Sequence, residues 1–389
     1  MAKEFIAGPN FSGRSEALLT RLRGGAQGEQ RAFFIGPYAE AALSGLSSSV
    51  ADEIALYRAR PPRARDVFSR LDPVAAGARK PQSLSGGEQV LLALHCFSLS
   101  MHDTLGIDTA LEQLDAVNRA AAIDYLSSGA FDALLIDNHA APSGWRQTVR
   151  PPSPSPAFVI DWAALNATVV PRAAPVIDIR RLNFTYRHGP TIFRDAAAQL
   201  VPGRAYRLFG ANGAGKTTLL KILVGALAPA ASEIALDGKP YAPWRGGGAP
   251  IAIATQNPDQ QWCGATLEED LERRRGALPA GVAIPDIPKL AAFARALGVS
   301  GLDQHLYELP LAARKRVSWL WPLAGVHPWL VLDEPTVGQD AATRENLAAL
   351  LARLCAAGHG IVFVTHDENF ARLLPHAVLR VENGGISSL

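Results

Sequence analysis

The sequence predicts an α/β protein that contains one module twice, each copy built on a mostly parallel β-sheet with helical segments, the first copy being truncated. Each half runs from a strand through a glycine-rich loop to a helix, and then to two further strands. The second of these three strands ends in Asp, and the third is followed by His. Strands that alternate with helices predict a parallel sheet whose ligand lies at the carboxyl ends of the strands.

A segment rich in proline and serine separates the two halves. It occupies residues 146–173, shows little hydrophobic period and is expected to form a semi-rigid linker. The predicted domains are therefore residues 1–145 and 174–389. The second half also has a front segment of strand-like pattern, Val176 to Pro202, before its glycine-rich loop. The first half starts almost directly at its loop, so we expect it to be the truncated copy.

Composition and charge exclude several classes of protein. The chain is 48% hydrophobic, enough for each half to bury a core, and its formal net charge is +2. Near-neutrality argues against a large nucleic-acid interface, which usually needs a basic excess. The three cysteines have neither metal-ligand spacing nor a disulfide framework, which fits a reducing cytosol. Neither a signal peptide nor a membrane span is evident, so we expect any membrane role to act through a partner.

The glycine-rich loop of the second half matches the phosphate-binding pattern GxxxxGK[ST] in full. It follows the apolar strand AYRLF and opens a helix. Glycines let backbone N–H groups curl round phosphate oxygens, and the helix N-terminus adds the positive end of its dipole. Lys216 is expected to reach the β- and γ-phosphates of a nucleotide, and Thr217 a Mg²⁺ ion. The expected nucleotide-binding residues of this loop are Gly210, Asn212, Gly213, Gly215, Lys216, Thr217 and Thr218.

The first half has the same loop frame with different chemistry. Its sequence GPNFSGRS, residues 8–15, places Arg14 where the pattern has Lys and Ser15 where the second half has Thr. Arginine is a wide planar fork rather than a compact ammonium, so the replacement is not conservative in a tight phosphate cradle. By itself this match is weak, and its weight comes from the intervals that follow it.

Intervals between acidic residues agree in the two halves. Asp108 and Asp115 are seven residues apart, as are Asp333 and Asp340. From the first Asp of each pair to the next key His, the interval is 31 residues in the first half and 33 in the second. Such agreement is hard to attribute to chance, so we interpret the halves as copies of one module.

A third interval relates the segment LSGGEQ to the same aspartates, Asp108 and Asp333. Ser85 lies 23 residues before Asp108, and counting back 23 residues from Asp333 gives Pro310. The sequence around Pro310, LPLAARKR, occupies the place of the first-half segment but lacks its glycine pair. Proline lacks an N–H group, and the absence of glycine prevents close backbone approach.

Together these motifs resemble the ABC ATPases over nearly the whole chain. The segment LSGGEQ resembles their signature motif, and VLDEPT, residues 331–336, resembles Walker B. Gln256 resembles the glutamine of the Q-loop, Tyr186 the aromatic residue that stacks on adenine, and His139 and His366 the switch histidines. The resemblance implies that ATP and Mg²⁺ are bound. It also implies a head-to-tail arrangement, in which each ATP lies between the phosphate loop of one half and the signature of the other.

In such an arrangement one composite site is complete. Glu334 is expected to polarise the attacking water and His366 to contact the γ-phosphate, with Gln256 and Lys216 as further catalytic residues. Thr217, Gln256 and Asp333 are expected to hold Mg²⁺. From the first half, the resemblance assigns nucleotide contacts to Ser85, Gly86, Gly87 and Asp115.

The other site is expected to be degenerate and catalytically silent. Thr109 occupies the place of the catalytic glutamate, so no carboxylate orients water there. Sequence alone leaves open whether this site binds ATP statically. Its first-half residues are Arg14, Ser15, Asp108, Thr109 and His139.

The segment QNPDQQ, residues 256–261, resembles the Q-loop and following helix of energy-coupling-factor (ECF) ATPases. That resemblance implies a peripheral subunit on the cytoplasmic face of the plasma membrane, coupling ATP hydrolysis to import. Its partners would be a membrane coupling subunit and a membrane substrate-binding subunit, without nucleic acid. We expect a single chain to supply both halves of the sandwich. The alternatives are a soluble tandem ABC mechanoenzyme acting on ribosomes or DNA, and a regulatory scaffold without turnover.

Overall fold

The computed structural model describes residues 2–7, 14–24, 32–59, 77–150, 161–167, 169, 173–187, 189–245, 250–276, 287–299, 301–309, 311–323 and 327–388. The chain folds into two compact units. The first comprises Met1–Pro154 with Arg187–Gly189, and the second Ser155–Tyr186 with Pro190–Leu389. Within the described ranges, no helix combines the length and apolarity that crossing a membrane requires.

The first unit is an α/β structure. Its strands and α-helices are β1 Lys3–Ala7, α1 Arg14–Gly24, β2 Ala32–Ile35, α2 Val50–Leu56, α3 Gly86–Leu99, β3 Thr104–Asp108, α4 Ala116–Ser128, β4 Asp132–Ile136 and β5 Arg146–Val149. The strands form one sheet of order β2-β3-β4-β1-β5, in which every pairing is parallel. Buried apolar side chains of α3 pack in the main core of this unit with those of the sheet. The predicted parallel sheet is therefore confirmed for the first half.

The second unit contains a parallel sheet and a smaller antiparallel one. Its strands and α-helices are α5 Trp162–Ala167, β6 Ile177–Thr185, β7 Thr191–Leu200, β8 Ala205–Phe209, α6 Lys216–Leu223, β9 Ala231–Leu236, β10 Lys239–Pro240, β11 Ile251–Ala254, α7 Leu267–Gly276, α8 Ile287–Ala296, α9 Leu311–Ser318, α10 Leu320–Leu323, β12 Trp329–Asp333, α11 Ala341–Ala356, β13 Gly360–Val364, α12 Glu368–Leu373, β14 Ala377–Glu382 and β15 Gly385–Ser388. The larger sheet has the order β11-β12-β13-β8-β14-β15 and is parallel except at β14–β15. The smaller sheet, β10-β9-β6-β7, is antiparallel.

Strand order brings the motif-bearing strands of the second unit together. In the larger sheet β13 lies between β12 and β8 and pairs in parallel with both. All residues of β12 and β13 are buried, as expected of central parallel strands covered on both faces. Because parallel strands end at the same edge, the segments that follow these three strands lie close together. The strand-like front segment predicted from Val176 to Pro202 is confirmed as β6 and β7.

The predicted linker contains two regular elements that the sequence analysis did not anticipate. Residues 146–149 form β5, which pairs with β1 at the edge of the first sheet. Residues 162–167 form α5, whose Leu165 is fully buried in a core of the second unit. Both elements are short and depend on their neighbours, β5 on an available strand edge and α5 on an apolar surface. The Pro/Ser cluster at 151–156 lies outside the described residues.

Candidate functional site

The phosphate-loop sequence of the second unit forms a loop in which Gly210 and Gly215 leave no room for a side chain. It connects β8 to α6, with φ values of +157° at Gly210, +79° at Gly213 and +109° at Gly215. A Cβ atom on Gly210 would run into the carbonyl oxygen of Val381, and one on Gly215 into the side chain of Ile192. The loop therefore wraps tightly, because these residues have no side chain.

Two donors of this loop suit a phosphate group. Lys216 begins α6, and its Nζ donates to the carbonyl oxygens of Gly210 at 2.8 Å and Ala211 at 3.0 Å, which holds the ammonium over the loop. The Nδ2 atom of Asn212 is buried and donates to no acceptor among the described residues. A buried amide donor without a protein acceptor fits a ligand oxygen.

Two oxygen ligands for a hard cation lie at the start of α6 and the end of β12. Thr217 Oγ1 donates to Asp333 Oδ2 at 3.0 Å. The Asp333 side chain is buried, and burial raises its pKa, while the charge of Lys315 and the hydrogen bond from Thr217 act in the opposite direction. A hydroxyl and a carboxylate in contact are a donor set suited to Mg²⁺, so both residues fit their predicted role.

The predicted general base and switch histidine are adjacent. Glu334 has a left-handed backbone, with φ +45°, and its N–H donates to Val364 O at 3.0 Å. Its Oε2 accepts from the backbone N–H of His366 at 3.2 Å, and its Oε1 lies 3.7 Å from His366 Nε2. Burial, and secondly the nearby charge of Asp333, raise the pKa of Glu334 to about 8.

Gln256 lies in the loop that follows β11 and is connected to Asp333 through a residue that the sequence analysis missed. Lys315 Nζ donates to the carbonyl oxygens of Gln256 at 2.9 Å and Asp333 at 3.1 Å. Lys315 belongs to α9. It lies in the segment LPLAARKR, which resembles the signature motif but lacks its glycine pair. The only sequence signal was the basic run at residues 314–316.

Tyr186 lies against the first turn of α6. Its hydroxyl is hydrogen-bonded to Thr218 Oγ1 at 3.0 Å, and its ring meets that of Phe184 edge-on at 4.9 Å between centroids. These contacts place the predicted adenine-stacking residue next to the phosphate loop. Its stacking role stays a prediction.

In the first unit, the segment that resembles the signature caps a long helix. Ser85 is the N-cap of α3 and forms a capping box with Glu88: the N–H of Ser85 donates to Glu88 Oε2 at 2.7 Å, and the N–H of Glu88 donates to Ser85 Oγ at 3.4 Å. Gly86 and Gly87 form the first turn of this 14-residue helix. Arg79 donates to Glu88 Oε1 at 2.8 Å and stabilises the cap from outside. The segment thus presents a helix N-terminus, the end that favours anions.

Asp115 has a structural role in the first unit. It is the N-cap of α4 and accepts from the N–H of Asn118 at 2.8 Å. Asp340 caps α11 of the second unit in the same way, accepting from the N–H of Thr343 at 2.8 Å. The predicted nucleotide contact of Asp115 stays a prediction.

The residues predicted for the degenerate site are partly brought together. Asp108 ends β3, and its pKa is raised by burial and lowered in part by a hydrogen bond from Ser15, as that of Asp333 is by Thr217. Arg14 donates from both terminal nitrogens to Asn138 Oδ1, at 3.1 Å each. Residues 8–13 of this loop and Pro310 lie outside the described residues.

Thr109 matches Glu334 in backbone geometry. Its φ is +55°, and its N–H donates to Ile136 O at 2.8 Å, on the neighbouring strand β4. Glu334 has φ +45° and donates in the same way to β13. The same backbone position therefore carries a hydroxyl in the first unit and a carboxylate in the second.

His139 is not the positional counterpart of His366, contrary to the sequence interpretation. Strand register pairs Asp108 with Ile136 and Asp333 with Val364. Two residues after each paired strand residue come Asn138 in the first unit and His366 in the second. The intervals misled because α4 has 13 residues and α11 has 16, a difference of three rather than two.

His139 instead contacts Asp137, which is ion-paired with Arg119. Its Nδ1 lies 2.7 Å from Asp137 Oδ1, and Arg119 holds the other oxygen of Asp137 at 2.7 Å. Burial alone would raise the pKa of Asp137, but His139 and Arg119 together hold it below its ordinary value.

Comparisons with known proteins agree on one family. The family model described as ABC transporter matches residues 193–337. An ABC transporter ATP-binding protein of Streptomyces coelicolor is 33% identical over 205 residues, which are 51% of this chain and 72% of that protein. The energy-coupling factor transporter ATP-binding protein EcfA1 of Thermotoga maritima is 33% identical over 214 residues, 54% of this chain and 80% of that protein. The cobalt import ATP-binding protein CbiO of Rhodobacter capsulatus is 31% identical over 221 residues, 54% of this chain and 77% of that protein.

Proposed function

Because this chain belongs to the ABC transporter ATP-binding family, whose members hydrolyse ATP, we propose that it energises a membrane importer of the ECF type or a related ABC importer. Its partners are an integral coupling subunit and a membrane substrate-binding subunit, and it acts as a peripheral protein on the cytoplasmic face of the plasma membrane. Support comes from the relatives named for energy coupling and cobalt import, and from the QNPDQQ segment.

In this proposal the chain has one complete ATPase site and one degenerate site. Its first unit is a truncated tandem copy of the second. The observation that carries this proposal is the contrast between Glu334 and Thr109 at equivalent backbone positions. At this position the second unit has a carboxylate, which can polarise water, and the first unit has a hydroxyl. Only the first unit keeps the Ser-Gly-Gly turn at a helix N-terminus, since its counterpart at residues 310–312 reads Pro-Leu-Ala. Each unit thus keeps what the other lacks.

In the complete site, each residue has a defined task. Lys216 and Asn212 bind phosphate oxygens, and the first turn of α3, with Ser85, stabilises the charge that develops on the transferred phosphoryl group. Glu334 orients the attacking water and takes up its proton, while His366 positions the glutamate and the γ-phosphate.

The metal ion belongs to the same site. Thr217, Asp333 and Gln256 would hold Mg²⁺, which neutralises charge on the β- and γ-phosphates when bound. The contact between the first two of these residues is the structural support for this assignment.

A set of three substitutions tests the one-site model. We expect Glu334→Gln to abolish ATP turnover while ATP remains bound, because the amide cannot accept the proton from water. Ser85→Arg should be nearly as damaging, since a bulky cation replaces the cap that faces the γ-phosphate. Thr109→Ala is the matched control in the degenerate site and should change turnover little. Steady-state phosphate release and bound nucleotide are the measurements, and turnover that persists in Glu334→Gln would contradict the model.

The transport role is tested by affinity purification from gently solubilised membranes of the native host. We expect a polytopic membrane protein in stoichiometric amount, together with a second, small membrane protein. Recovery of soluble partners alone, such as ribosomal or DNA-repair proteins, would contradict the transport role and leave the ATPase model intact.

A further inference from the structure

Lys315 is a fully buried cation in α9 whose hydrogen-bonding capacity is completely used. Its Nζ donates to the carbonyl oxygens of Thr255 at 2.8 Å, Gln256 at 2.9 Å and Asp333 at 3.1 Å. A lysine ammonium has three N–H donors, so each donor has one acceptor. Three backbone carbonyls from two separate segments are therefore held by one atom.

The carbonyl of Asp333 belongs to the peptide that joins Asp333 to Glu334. Lys315 binds this peptide by its oxygen, and Val364 O accepts from its N–H at 3.0 Å. The peptide plane is thus fixed from both sides. Its orientation sets the direction in which the Glu334 side chain leaves the backbone, where φ is +45°.

The other two carbonyls lie in the loop that contains Gln256, and α9 braces this loop at further points. Arg314 pairs with Asp259 at 2.7 Å. Gln261 Nε2 donates to Ser318 O at 3.1 Å, and Gln261 Oε1 accepts from the N–H of Thr255 at 3.0 Å. The loop at residues 255–261 and α9 are therefore tied together by several bonds.

We infer that Lys315 is a positioning residue for ATP hydrolysis, which fixes the spacing between the loop that contains Gln256 and the Asp333–Glu334 peptide. The inference rests on the proposed function, because it takes Glu334 as the residue that orients water. It follows that a displacement of the loop either breaks bonds to Lys315 or moves the Asp333–Glu334 peptide. The segment LPLAARKR, which lacks the glycine pair of the signature motif, thus contributes a positioning residue to its own unit.

Electrostatics fits this role. Burial lowers the pKa of Lys315 to about 8, while the charges of Asp333 and Glu334 raise it. A buried ammonium is costly unless it is paired and hydrogen-bonded. An apolar side chain could fill the same space without this cost, but it could not hold the three carbonyls.

The test compares two substitutions at this position with one at its neighbour. Lys315→Met removes charge and donors, and Lys315→Gln keeps two amide donors without the charge. We expect kcat of Lys315→Met to fall about 10- to 100-fold, because small misplacement of a catalytic group has effects of that size. ATP affinity should stay within about threefold, since the phosphate loop is untouched. Lys315→Gln should recover about a tenth or more of the wild-type kcat.

Arg316→Met is the matched control. Arg316 is the next residue of α9, is also buried, and its charge is stabilised by Asp340. Its loss should lower the unfolding midpoint without changing kcat per ATP-binding chain, which is obtained by titrating bound ATP. A wild-type kcat in both Lys315 variants, with Glu334→Gln inactive, overturns the inference alone. Equal loss of kcat and ATP affinity in both Lys315 variants also overturns it, since that pattern marks a general structural role. Turnover in Glu334→Gln would instead refute the proposed function.

Discussion

At one position the two units share backbone geometry and differ in the side chain that it carries. Thr109 and Glu334 share a left-handed conformation and a hydrogen bond to the adjacent strand. Ser15 and Thr217 each donate to the Asp at the end of a central strand. Arg14 and Lys216 differ, since the guanidinium binds Asn138 while the ammonium binds its own loop. At these described positions the two units therefore differ in side-chain chemistry.

At the residue scale, Glu88 should make the stability of α3 depend on pH. Burial alone would raise the pKa of Glu88, but hydrogen bonds from Arg79 and Ser85 hold it below its ordinary value of 4.5. A carboxyl group with a lowered folded-state pKa stabilises the fold above its unfolded pKa, and this stabilisation is lost as pH falls through the folded value.

Glu88→Gln should therefore cost about 1–2 kcal/mol at pH 7 and less at a pH below 4.5. Hydrogen exchange of the α3 amides at both pH values measures the difference. Asp124→Asn, an exposed change on α4, serves as the control. A cost that is equal at the two pH values would show that the Arg79–Glu88 pair does not act through charge.

At the element scale, the glycine-rich loop is limited by the space around it. Gly215 has φ +109°, and a Cβ atom there would meet Ile192. Gly215→Ala should therefore strain the loop and weaken ATP binding by about tenfold or more. Gly238→Ala is the matched control, since Gly238 also has a positive φ, +74°, but has open space around it. That variant should lose about 1 kcal/mol of stability with unchanged ATP affinity, as measured by titration and urea unfolding.

The same scale shows what could be predicted from the sequence. Residues 205–217 contain a strand, a full glycine pattern and a helix start, so the local signals agree, and the strand, the turn and the helix start lie where they were predicted. β5 and α5 have four and six residues, too few for a periodic signal, and both exist because of tertiary neighbours. Lys315 could not be identified, because burial of a lysine within a basic run is visible only in three dimensions. His139 was assigned one position too far, because helix length differs between the units.

At the scale of the whole molecule, the one-site model predicts that one chain is sufficient. If both halves of the sandwich come from the same chain, Glu334→Gln with bound ATP should remain a monomer of 41.4 kDa. Sedimentation velocity with and without ATP measures this mass. ATP-dependent formation of a dimer would contradict the model, because it would mean that the signature is supplied by a second chain. Ser85→Arg combined with Glu334→Gln is the control, and it should stay monomeric under both conditions.

The backbone conformation at Thr109 does not depend on the chemistry of its side chain. A left-handed conformation is strained for a β-branched residue, and such strain persists only where the surroundings impose it. Here it is imposed by the bond from the Thr109 N–H to the carbonyl of Ile136, which involves no side-chain atom. An enzyme built this way can lose or regain a reactive group at one codon without refolding its sheet. The reactive group at this position can then change while the turn that carries it keeps its conformation.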